Sequence, residues 1–298
     1  MVLVNVIVPV ILVAGAGYLF ARWTKVDVAA LTKLSFYVLS PALIFQSMLG
    51  STISGATVAR VGLFVLLVHG VLLLLGLVAG RAKSWDTDAT ASVAMSLSFT
   101  NCGNYGLPVL LFAFGDAGFT LGVVYMVAHQ VFQIPFGVGV ASWRKGMKLR
   151  TLAWKVLTVP WIYAMVAALA VRTFSVDLPV ALARPIDLVA QATIPIQLLV
   201  LGMALAEVKV GKLFRVAVPV SAAKLILPPL LAWGACALLG LDGLLRAVLI
   251  LQASTPTAIN ALILSLQYKR RPDLTASIVL LTTIGGIATT TLLLWLLA

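Results

Sequence analysis

The sequence predicts an all-α polytopic membrane protein, and three observations predict it. Of its 298 residues 62% are hydrophobic and 10% charged, with a mean hydropathy of +1.11. A soluble domain carries about 25% charged residues and could not hide this much apolar surface from water. Apolar runs near the roughly 20 residues that a helix needs to cross hydrocarbon recur along the whole chain. The basic residues, finally, alternate from one connection to the next.

Ten spans emerge, at approximately 2–21, 34–50, 58–79, 89–113, 117–141, 153–172, 184–206, 213–239, 244–267 and 274–297. The first apolar run, from Val2 to Phe20, has no basic stretch before it and is too long for a signal segment. It reads as the first membrane helix. The connections are short and leave no room for a soluble domain. The only cysteines, Cys102 and Cys236, imply neither a disulfide framework nor a metal cluster.

The net charge of +12 would suggest nucleic acid in a soluble chain; here it belongs to the loops. Odd-numbered connections carry Arg22, Lys25, Lys33; Arg81, Lys83; Arg144, Lys145, Lys148, Arg150, Lys155; Lys209, Lys212, Arg215; and Lys269, Arg270, Arg271. Even-numbered ones carry only Arg60, Arg172, Arg184 and Arg246. Basic loops stay in the cytoplasm, which puts the odd connections inside and both termini outside a cytoplasmic membrane.

Ten spans divide at the basic midpoint into residues 1–149 and 150–298. The halves share features. Leu39-Ser-Pro41 in span two matches Thr193-Ile-Pro195 in span seven. Asn101-Cys-Gly-Asn-Tyr-Gly-Leu-Pro108 in span four matches Gln252-Ala-Ser-Thr-Pro-Thr-Ala-Ile-Asn260 in span nine. Five helices per repeat force the second repeat to run upside down, and paired broken helices in inverted repeats mark secondary transporters. Proline removes a ladder hydrogen bond, and unpaired backbone in a membrane survives only inside protein or along a cavity. Pro108 and Pro256 are therefore expected to set the two breaks, with Gly103 and Gly106 supplying backbone freedom.

The motif Asn101 to Pro108 resembles the Asn-x-Gly-Asn-Tyr-Gly-x-Pro signature of bacterial members of the auxin efflux carrier family, and Gln252 to Asn260 resembles that family's second motif. The resemblance extends over the whole chain in length, helix count and motif position. It implies a fold related to bile acid sodium symporters, with helices four and nine crossing near mid-membrane. It also implies a transport domain (helices 3–5 and 8–10) that moves against a scaffold (helices 1, 2, 6 and 7) in an elevator-type cycle. The implied cargo is a small organic anion, such as a dicarboxylate. The fold's relatives suggest a homodimer, which no residue pattern here specifies.

Each break exposes a half-helix N-terminus with free N–H groups and about half a positive charge, a ready carboxylate site. Asn101, which the family motif marks as an anion contact, is expected to donate there. Asn104 and, from the second break, Gln252, Thr255 and Asn260 are the other candidate substrate contacts. Lys224 falls near the middle of helix eight, where an ionisable residue is functional by default. No carboxylate lies in either break. The sodium sites of the symporter relatives use acidic side chains, so Lys224 is expected to supply internally the charge that sodium supplies there. His69, at similar depth in helix three, is a coupling candidate, with His129 behind it. No cofactor or bound metal is expected, and sodium is not favoured.

Asp86, Asp88 and Asp242 precede helices four and nine like N-caps. Glu207 reads as an interfacial partner of Lys209. Gln46 and Gln197, near the kinks, read as packing residues. An intramembrane enzyme is disfavoured, since no metalloprotease His-Glu-x-x-His, Asp-rich pair or serine elbow is present. An anion channel or a sodium-coupled symporter on the same fold remains the alternative.

Overall fold

In a computed structural model, residues 3–142, 149–208 and 214–297 are described. The basic midpoint residues Arg144, Lys145 and Lys148, and Lys212 and Lys209, the proposed partner of Glu207, lie outside them.

The described residues are helical almost throughout. The α-helices are α1 (Val8–Trp23), α2 (Val28–Leu34), α3 (Ser40–Leu49), α4 (Gly55–Ala82), α5 (Thr87–Ser98), α6 (Leu107–Ala141), α7 (Leu149–Leu157), α8 (Pro160–Thr173), α9 (Val180–Glu207), α10 (Phe214–Leu238), α11 (Gly243–Ala253), α12 (Ile259–Gln267) and α13 (Pro272–Leu297). Wide π-turns precede α1, α3 and α6, at Leu3–Ile7, Ser35–Leu39 and Cys102–Gly106. Seven helical segments are long and apolar enough to cross a membrane, and Pro160–Thr173 and Gly243–Ala253 are shorter apolar helices.

Three of the sequence-derived spans divide differently from expectation, and 153–172 is broken at Thr158 and Val159, between α7 and α8. The run 89–113 is interrupted after Ser98, and its second part continues through α6 to Ala141. The only departure from helix inside α6 is Gly115, at φ 60° and ψ −159°, a conformation open essentially to glycine.

The helices pack in two groups. In one, α1 lies along α9, and α3 packs on α8 and α9. In the other, α4 packs on α5 and α6, α10 on α13, and α11 on α6 and α10. Glycines set the closest approach in the first group. A Cβ on Gly202 would run into the Ala14 carbonyl, and one on Gly17 into Leu199, so the two backbones touch where a side chain would stand. Gly202→Ala is expected to lower the thermal midpoint in detergent by a few degrees, since overpacking costs about 1–3 kcal/mol. Gly15→Ala, with open space at that position, serves as the control; equal midpoints would refute the close-contact account.

Polar ties hold the ends of the second group. Asp86 caps α5, its Oδ1 accepting from the Ala89 N–H at 2.7 Å. Arg271 donates to Asp86 at 2.7 Å and holds its carboxyl below the usual carboxylate range. Asp88, which also read as a cap, instead pairs with the buried Arg270 at 2.6 Å, and Arg270 Nε donates to the Ala141 carbonyl. Asp242 occupies the N-cap position of α11, but its side chain makes no capping bond; its backbone carbonyl accepts from Arg246 instead. Across the first group, Arg172 spans from α8 to the carbonyls of Ser51 and Ile53, and Trp161 Nε1 donates to the Phe36 carbonyl at 2.8 Å.

Candidate functional site

The two interruptions meet. After Ser98 the chain turns extended at Phe99 (φ −93°, ψ 119°), and after α11 it runs irregularly through Thr255 to Ala258 before α12 starts. Thr255 precedes Pro256, which disfavours helix there. Thr100 and Thr257 form an antiparallel bridge. Asn101 N–H donates to the Pro256 carbonyl at 2.8 Å, and Ala258 N–H to the Phe99 carbonyl at 3.0 Å. Backbone that left the helix ladder in one half is thus satisfied by the other half, as an apolar surrounding demands.

Pro108 stands elsewhere than expected. It is the second residue of α6, behind the π-turn Cys102–Gly106 that follows the break, nine residues beyond the extended Phe99. Pro256 does sit at its interruption, and its ring packs against Gly286.

The carbonyl end of α5 is capped one group at a time. The Ser96 carbonyl accepts from Thr257 Oγ1 at 2.9 Å, Leu97 from Lys224 Nζ at 3.0 Å, and Ser98 from His69 Nδ1 at 2.6 Å. Three elements thus supply donors to successive carbonyls of the negative end of a half-helix, the end that favours cations. Lys224 is fully buried, and its Nζ stands on that end. Because a carbonyl only accepts, His69 carries its proton on Nδ1, leaving Nε2 to accept from Tyr125 Oη at 2.5 Å in the neutral ring. Both ring nitrogens of His69 are therefore committed.

The opposite ends behave differently. Asn101 and Ala258 hold the N-cap positions of the helical turns that follow the breaks, and neither offers a side-chain cap. The first N–H groups of a helix have no acceptor within it. Both N-termini border one cavity of about 60 Å³, lined among others by Asn101, Gly103, Asn104, His129, Gln133 and Asn260. Asn101 is buried, and among the described residues its side chain makes no hydrogen bond. Asn260 Nδ2 donates to Gln133 Oε1 at 3.1 Å, and Gln133 Nε2 is left buried with no partner. An unpartnered amide donor inside protein costs about 1–3 kcal/mol, and here it borders a cavity that already presents helix N-termini.

The candidate contacts therefore separate. Asn101, Asn104 and Asn260 border the cavity together with Gly103. Gln252 and Thr255 are not among its lining residues: Gln252 Nε2 faces the Gly122 carbonyl at 3.4 Å, and Thr255 Oγ1 donates to the Gln252 carbonyl at 2.9 Å. Gly106 faces Gln252, whose Oε1 occupies the space a Cβ would need. Lys224 and His69 are held on the carbonyls of α5 rather than at the cavity. His129 borders the cavity, with Thr100 and Cys102 at 3.4–3.7 Å. Gln133 and Gln130 escaped the sequence reading except as neighbours of His129. Their signal was faint: two amides one turn apart in an apolar helix.

Gln130, Gln133 and Asn260 also border a neighbouring chamber of about 350 Å³. A second chamber, of about 600 Å³, is bordered by Gln46, Asp116, Thr120 and Gln191.

An "Uncharacterized transporter" of Methanothermobacter thermautotrophicus is 24% identical over 266 residues, 87% of this chain and 85% of its own length. A protein of Rhizobium meliloti named "Putative malonate transporter" is 30% identical over 189 residues, 63% of this chain and 56% of its own length. The profile of one family, described as membrane transport protein, matches twice, over residues 2–151 and 145–296. With both halves matched by the same unit, the chain belongs to the auxin efflux carrier-like family of membrane transport proteins.

Proposed function

We propose that this transporter carries a small carboxylate across the cytoplasmic membrane by elevator-type alternating access. In this reading the chain makes ten crossings, as two inverted five-helix repeats divided near residue 149. Gly115 is the turn between the fourth and fifth crossings. The group built on α1, α3, α8 and α9 is the scaffold, and the group built on α4–α6 and α10–α13 moves against it. The distribution of Lys and Arg supports cytoplasmic odd loops and external termini.

The observation that carries the reading is the junction of two uncapped half-helix N-termini and Asn101 at one small cavity. Fixed N–H dipoles in a dry site hold a carboxylate without an arginine. Gln133 is the added contact, its Oε1 fixed by Asn260 so that its Nε2 is free for substrate. The ammonium of Lys224 braces the other end of the crossing, on the carbonyls where a metal ion would otherwise be needed. Uptake is therefore expected to be independent of sodium, with no cofactor.

Proteoliposomes loaded with unlabelled malonate test the proposal. Saturable uptake of labelled malonate, accelerated by internal malonate and unchanged when potassium replaces sodium, is the expected result. Unitary currents would make the protein a channel. Uptake that required sodium would make it a symporter and overturn the role given to Lys224.

A further inference from the structure

The two chambers flanking the crossing carry opposite charge. The chamber of about 350 Å³ is bordered by Lys33 on α2 and Lys155 on α7, together with Tyr37, Gln130, Gln133 and Asn260. These lysines are its only charged lining residues among the described residues. Among the described residues, the only charged one bordering the chamber of about 600 Å³ is Asp116. Neither lysine is in an ion pair among the described residues. Both belong to connections that the basic-residue pattern places in the cytoplasm.

The crossing cavity, at about 60 Å³, has room for one carboxylate group and little else. Gln130, Gln133 and Asn260 border both this cavity and the adjoining chamber. We propose that Lys33 and Lys155 form a second anion-docking site in that chamber, which attracts a dicarboxylate on its way to and from the crossing. The inference rests on the carrier reading above.

Three physical consequences follow. The lysines raise the local concentration of anions on their own face, an effect that salt screens over about 8–10 Å. They act more on a dianion than on a monoanion of the same shape, because Coulomb energy scales with charge. They act on one face only, since Asp116 repels anions at the other. The apparent affinity for a dicarboxylate is thereby made unequal on the two sides of the membrane.

The test compares malonate with malonamate, which has nearly its shape and one charge fewer, in inside-out and right-side-out vesicles with the vector-only background subtracted. The double variant Lys33→Gln/Lys155→Gln is expected to raise the malonate KM about tenfold on the cytoplasmic face, with the ratio of kcat/KM between the two faces unchanged, as detailed balance requires. Malonamate should shift less than threefold, and KM on the opposite face should not change. Sodium-free buffer of 0.5 M ionic strength should reproduce the effect in the wild type, and Lys33→Arg/Lys155→Arg should reverse it. Asp116→Asn should lower KM on the other face only. Saturable flux with an unchanged malonate KM, or an equal rise on both faces or for both anions, overturns this inference alone. Absence of saturable flux in the wild type overturns the carrier reading and the docking site with it.

Discussion

Asn101→Ala is expected to cut malonate uptake about 10- to 100-fold while leaving the protein in the membrane with an unaltered thermal midpoint. The two parts of that result come from different atoms of one residue. The backbone of Asn101 ties the crossing together, its N–H on the Pro256 carbonyl and its carbonyl accepting from Tyr105 and Gly106. Alanine keeps all of these. The side-chain amide, by contrast, has no partner among the described residues, so its removal strands nothing. What is lost is a hydrogen bond to a carboxylate, about 1.5–3 kcal/mol for a charged partner, and each ~1.4 kcal/mol is tenfold in affinity. Asn101→Asp should go further and abolish uptake, because it adds a negative charge at an anion site of nearly the same volume. Gln133→Leu should resemble Asn101→Ala in transport with little change in stability, since it removes a buried donor that has no partner but also the Oε1 that accepts from Asn260. Wild-type uptake by Asn101→Ala would remove the anion site from this cavity. A large fall in thermal midpoint would mean that the asparagine is a structural brace.

Much of this architecture was legible in the sequence, for identifiable physical reasons. Hydrophobic length and the alternation of basic loops report on the bilayer and need no tertiary contact. The Asn-Gly and Thr-Pro motifs announced irregular backbone because proline and glycine act locally. What could not be read was set by pairing across about 150 residues. The chain leaves the helix at Phe99 rather than at Pro108 because Phe99 and Asn101 bond to Ala258 and Pro256 in the other half. The same pairing turns Thr255 and Gln252 away from the cavity, although they flank the second proline. Gln133 emerges only once Asn260 is seen to donate to it. Lys224 was conspicuous by its depth, but no pattern in its own helix named the Leu97 carbonyl as its partner.

That partner makes Lys224 the residue whose loss should be most informative. Lys224→Ala is expected to reduce uptake to less than a tenth and to make what remains depend on added cations. The ammonium sits on the Leu97 carbonyl at 3.0 Å, between carbonyls held by Thr257 and His69. Alanine leaves that carbonyl unsatisfied and the negative end of α5 without its charge. It also leaves a space the size of a lysine side chain beside three carbonyls, a setting that suits a small cation. Sodium, ammonium or methylammonium should therefore restore part of the activity, whereas choline, too large for the space, should not. Lys224→Met separates charge from volume, because it removes the ammonium and fills most of the space. It should be equally inactive and beyond rescue, yet more stable than Lys224→Ala, because the Leu97 carbonyl is unsatisfied in both while methionine leaves no comparable cavity. If Lys224→Ala transports normally, or responds to cations no differently from Lys224→Met, then the lysine is not standing in for an ion. The crossing would in that case be held by its backbone pairing alone.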